Sequence, residues 1–116
     1  MAVRIKCDDP QKLLKKIKAA IGNGTVETWQ VDSDGDFTHT PRQWVNQAWL
    51  RPNVLNRSLV FSILGQIAKR MSSSVYGVYH GRFIEMLLTH FDEDFSDVTA
   101  SAFPEEDDYV GEDTET

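Results

Sequence analysis

Residues 2–10 read Ala2-Val3-Arg4-Ile5-Lys6-Cys7-Asp8-Asp9-Pro10, and within them the chain changes its period. Val3, Ile5 and Cys7 alternate with Ala2, Arg4 and Lys6, the period of a half-buried strand. Asp8 or Asp9 then supplies an N-cap, and Pro10 suits the first helical position because its missing N–H has no partner there anyway. The helix runs to about Ile21, with Leu13, Leu14, Ile17, Ala20 and Ile21 in one apolar stripe and Lys12, Lys15, Lys16 and Lys18 on the solvated arc. Gly22 and Gly24 end it. A strand feeding directly into an amphipathic helix makes the chain a mixed α and β protein.

Working outward, residues 26–31 read as a second strand, rich in β-branched and aromatic side chains. Asp32-Ser33-Asp34-Gly35-Asp36 is a polar turn, and residues 37–40 resume an extended pattern, which predicts a hairpin. Pro41 breaks it. Residues 44–50 form the next candidate strand, stopped by Pro52, with residues 53–56 as the turn into residues 57–64. There Leu59, Phe61 and Ile63 alternate against Val60, Ser62 and Leu64. A second helix is predicted over residues 73–91, capped by Ser73 or Ser74, although Gly77 and Gly81 weaken it and leave residues 74–80 open to a strand reading. The order predicts an α+β fold: one domain over residues 1–93, an antiparallel sheet of four or five strands, and two helices on one face.

The charges are unevenly placed. Residues 92–116 hold eleven carboxylates and no Lys or Arg; residues 1–91 hold all twelve cations against seven acids, a balance of +5. Residues 94–116 have too few apolar side chains to offset the entropy of ordering, so they read as a disordered acidic tail with Phe95, Phe103 and Tyr109 as docking points. A basic body points to an anionic macromolecule (RNA, DNA or an acidic protein), with the tail modulating that contact. The N-terminus has no signal-peptide h-region, no apolar run spans a bilayer, and the single Cys7 excludes an intramolecular disulfide. The expectation is a cytoplasmic protein without a membrane partner.

Strand alternation places Gln47, Trp49 and Arg51 on one sheet face and Ala48 and Leu50 on the other. With Arg4 and Lys6 also facing outward, the open face would offer an aromatic platform ringed by cations, suited to stacking a base and neutralising phosphate. These five residues are the expected ligand-binding set. Motifs for RNA-recognition or KH domains, zinc sites and phosphate loops are missing, and no cofactor is implied. Asp32, Asp34 and Asp36 begin like a calcium loop. Phe37 stands where that loop needs Gly, and Gln43 where it needs a bidentate Glu, so no metal site is expected. Cys7 faces the core beside Asp8 and Asp9 and does not read as a nucleophile.

Three histidines remain. Two of them with a cation would suffice for acid–base cleavage of RNA, with Arg82 or Arg42 stabilising charge on phosphorus. His80 and His90 lie about 80° apart around a helix of ~3.6 residues per turn and do not share a tight site. His39, His80 and Arg82 are thus the candidates for a ribonuclease-like enzyme. The leading expectation is a non-enzymatic binding or regulatory module. The alternatives are an inhibitor or immunity-type protein that uses the acidic tail against a basic partner, and the histidine enzyme.

Overall fold

The computed structural model describes residues 3–105 and 107–111. The elements run β1 (Val3–Lys6), α1 (Pro10–Gly22), β2 (Trp29–Val31), β3 (Phe37–His39), β4 (Ala48–Leu55), β5 (Ser58–Gly65), α2 (Ser73–His90) and β6 (Asp97–Ala100). All six strands join one sheet in the order β2-β3-β4-β5-β1-β6, with every neighbouring pair antiparallel. The α+β class, the antiparallel sheet and the two helices stand as expected; the strand count is six rather than four or five. No helix among the described residues is long and apolar enough to cross a membrane.

The first strand and helix follow the sequence closely. Val3 and Ile5 are fully buried, while Arg4 and Lys6 are exposed. The Asp9 carboxylate accepts the Lys12 backbone N–H at 3.1 Å, and Pro10 opens α1. Leu13, Leu14 and Ile17 pack from α1, and Tyr79, Phe83 and Leu87 from α2, into one cluster with Val3, Ile5, Leu59, Phe61 and Ile63 of the sheet. Phe83 sits at its centre, edge-on to Trp29, Phe37 and Phe61.

Four sequence readings are corrected, namely the end of β4, its hairpin turn, its start and the cap of α2, while the helix reading of residues 73–91 stands. Pro52 does not stop β4, which continues to Leu55 and pairs Pro52 with Phe61. The hairpin turn is therefore Asn56-Arg57, not residues 53–56, and Arg57 takes a left-handed conformation in it. Residues 44–47 form a turn before β4, closed by the Trp44 and Val45 N–H groups on the Pro41 carbonyl. Residues 74–80 are helical despite Gly77 and Gly81, because Tyr79 and Phe83 bury completely; the cap is Ser72, whose hydroxyl accepts the Val75 N–H at 3.1 Å.

The sixth strand comes from beyond the expected domain boundary at residue 93. β6 pairs with β1 from Asp97↔Lys6 to Ala100↔Val3, preceded by a Ser96 N–H donated to the Lys6 carbonyl. Further along the chain, residues 108–110 run beside the end of β5, with Tyr109 bridging Leu64 in parallel. The Asp108 carboxylate accepts the Ile63 N–H (3.0 Å), Tyr109 N–H reaches the Ile63 carbonyl (2.9 Å), and Gly65 N–H reaches the Tyr109 carbonyl (2.6 Å). Met71 N–H then binds the Val110 carbonyl, and Gly111 passes so close to Lys69 that a Cβ would lie 2.2 Å from its carbonyl oxygen. The acidic composition hides this segment, which is held by backbone pairing together with Phe95, Val98 and Val110 packed against the core. Of the residues 94–116 expected to form a disordered tail, 106 and 112–116 lie outside the described residues.

Candidate functional site

A cleft of about 540 Å³ opens between α2, the segment following α1 and the turn following β3. From α2 it takes Arg82, Glu85, Met86, Thr89 and His90, which recur at three- and four-residue spacing and so share one helix face. The second wall, residues 25–28, is held by Asn23, whose side-chain oxygen accepts the Thr25 N–H and hydroxyl, and by Val26 N–H on the Ala20 carbonyl. Pro41, Gln43 and Trp44 form the third. Trp44 is half-buried, its carbonyl receiving the Tyr79 hydroxyl.

His39 forms part of the lining and is only 4% exposed. Its Nδ1 lies 2.8 Å from the Thr28 carbonyl, which can only accept, so Nδ1 carries the proton and Nε2 the lone pair. Burial pushes its pKa down, opposed by the Thr28 carbonyl; Arg82 lowers it further and Glu85 raises it. The ring is therefore a neutral acceptor at neutral pH. Arg82 and Glu85 are exposed at 57% and 64% of their side chains, and one guanidinium nitrogen lies 3.3 Å from both carboxylate oxygens. The cleft thus combines an aromatic and thioether wall with acceptors on His39 and Glu85 and a donor on Arg82.

The expected histidine set is split. His39 and Arg82 share the cleft with His90, while His80 and Arg42 are not among its lining residues. His80 donates Nδ1–H to the Tyr76 carbonyl at 2.5 Å and stacks on the Tyr76 ring. Its Nε2 is buried with no partner among the described residues. Burial lowers its pKa, against the Tyr76 carbonyl and Asp108, which raise it.

On the other side of the sheet, Arg4 and Lys6 are exposed and Trp49 half-buried; Gln47, expected on that face, lies instead in the turn before β4, beside Ser72 and Val75 at the start of α2. Arg51 reaches back to Asp36, with Nε and Nη2 at 2.9 and 2.8 Å from its two oxygens. Asp36 holds the guanidinium protonated and takes up its charge. That same pairing occupies one member of the aspartate turn, whose Asp32, Asp34 and Asp36 oxygens lie within 4.8 Å of one another. Asp32 accepts the Asp34 and Asp36 backbone N–H groups, as an ordinary polar turn does. Cys7 is buried and its pKa is raised, first by that burial, so it stays a thiol.

Trp44, Glu85 and Thr28 escaped the sequence reading because the cleft joins three separated segments. The one available signal was the exposed Arg82/Glu85 pair, at the spacing that brings helix side chains together. Comparison with protein-family models, curated proteins and solved structures gives no match.

Proposed function

We propose that this chain is a non-enzymatic binding module for an anionic macromolecule, with the cleft holding one unit of that partner. The carrying observation is the cleft itself: a concavity of ligand size in which an aromatic wall converges with a fixed acceptor and a donor–acceptor pair. Lys12, Lys15 and Lys18, exposed along α1, supply the charge that draws a polyanion. The open sheet face is the weaker candidate, because Arg51 already has a buried carboxylate for its charge. The catalytic reading is weaker too, since His39 is almost wholly covered and His80 is not in the cleft lining. The inhibitor reading loses an acidic group to the fold, as Asp108 is bonded to Ile63 and Glu105 N–H groups.

The test is an amide-resolved NMR titration of the full chain with a mixed-sequence single-stranded RNA, beside heparin, which has charge and no bases. RNA should shift Thr28, His39, Trp44 and Arg82 as well as the α1 lysines, and heparin the lysines alone. Shifts centred on Arg4, Lys6 and Trp49 would move the site to the open sheet face and overturn the cleft.

A further inference from the structure

The cleft sorts ligands by hydrogen-bond pattern. Two of its lining groups present acceptors: the His39 ring offers only the Nε2 lone pair once Nδ1–H is given to Thr28, and Glu85 offers two oxygens. Arg82 stands beside Glu85 on the same turn of α2 and is the donor. A ligand satisfying all three presents a run of N–H groups next to an acceptor, on a flat body that lies against Trp44 and Met86. Among nucleic-acid bases, guanine carries that pattern. Its N1–H and N2–H₂ form a contiguous donor edge for a carboxylate, and O6 and N7 accept from an arginine. Adenine has no N1–H and offers one amino group; uracil has one N–H between two acceptors; cytosine has one amino group beside acceptors.

We propose that the cleft is a guanine-binding site, with Glu85 reading the N1–H/N2–H₂ edge, Arg82 reading O6 or N7, and Trp44 as the stacking wall. This rests on the reading of the cleft as the ligand site and adds the identity of the unit bound. To bind, Arg82 and Glu85 exchange their contact with each other for contacts with the base. The pair is exposed and singly connected, so this rearrangement leaves the core intact.

Guanosine, adenosine, cytidine and uridine are each titrated into the full chain and into E85Q, with the Trp44 indole and Thr28 amide followed by NMR. Guanosine should bind the parent roughly ten-fold or more tighter than the others, and E85Q should lose most of that preference while its melting temperature stays unchanged. Because guanine is shared by free nucleosides and strands, a guanine-containing RNA tetramer is the companion probe. Tighter, salt-dependent binding of the tetramer assigns the site to a strand, and equal affinity assigns it to the nucleoside. Equal binding of the four nucleosides, or a guanosine preference that survives E85Q, overturns the guanine assignment and leaves the cleft as a site. Nucleoside shifts confined to Trp49 and its neighbours overturn both.

Discussion

His39 and His80 are alike in almost every local respect and opposite in what surrounds them. Both are buried, at 4% and 6% exposure, both give Nδ1–H to a backbone carbonyl, and burial lowers the pKa of both. His39 stands at a cleft with charged groups on its rim. His80 lies against Tyr76, whose hydroxyl donates to the Ser101 carbonyl, and its Nε2 is buried without a partner among the described residues. The comparison teaches that burial and a perturbed pKa do not by themselves single out a candidate site histidine; a cleft beside the ring does.

The two regions share a core, and the largest expected effect removes that common support. Phe83→Ala deletes the ring packed on Trp29, Phe37 and Phe61 and should cost roughly 3–5 kcal/mol. A denaturant midpoint measures it, and hydrogen exchange should speed at both histidine regions together. Speeding at only one would show that they rest on separate cores.

Asp108→Ala should separate them. It leaves the Ile63 and Glu105 N–H groups without their acceptor, at a cost of roughly 1–3 kcal/mol. Amide exchange at Ile63 and Gly65 should rise while Thr40, bonded to the Thr28 carbonyl, keeps its protection. Tyr79→Phe is the complementary change at the cleft, removing the hydroxyl that binds the Trp44 carbonyl, at about 0.5–1.5 kcal/mol. Its signature is a shifted Trp44 indole resonance with unchanged exchange at Ile63.

The smallest effect is a slope with pH. Both histidines have a folded pKa below their unfolded value near 6.5. Their neutral forms therefore favour folding fully above that pH. As pH falls below it the unfolded chain takes up protons first and stability is lost, by up to about 1.4 kcal/mol per pH unit for each proton. Urea melts between pH 7.5 and 5 should show the decline, and H39Q and H80Q should each remove part of it. A flat profile in the parent chain would mean that neither ring is held neutral.

Much of the architecture was legible where periodicity is strong. Val3 and Ile5 alternating with Arg4 and Lys6, the Asp9-Pro10 helix start and the Leu59/Phe61/Ile63 row all stand in the structure. What escaped is held by backbone pairing and by a few apolar anchors, Phe95, Val98 and Val110, scattered among acidic residues. β6 and residues 108–110 join the sheet through main-chain pairing that an acidic composition conceals, and Pro52 is tolerated within β4. For the site, His39 and Arg82 were visible as chemistry. Their meeting with Glu85 and Trp44 was not, because contact between a turn and a helix face depends on how α2 lies across the sheet.

β1 is an early strand seated between two later ones: Ile5 faces Leu59 on one side and Val98 on the other. A ribosome making this chain releases β1 long before either neighbour exists, so one edge waits until the β4–β5 hairpin is made and the other until β6 follows α2. Folding from the N-terminus forward is closed to such a topology. The sheet closes around its first strand only when its last arrives, and such high sequence separation slows folding. Until then Arg4 and Lys6, charged and projecting from the waiting strand, oppose its pairing with another copy of itself.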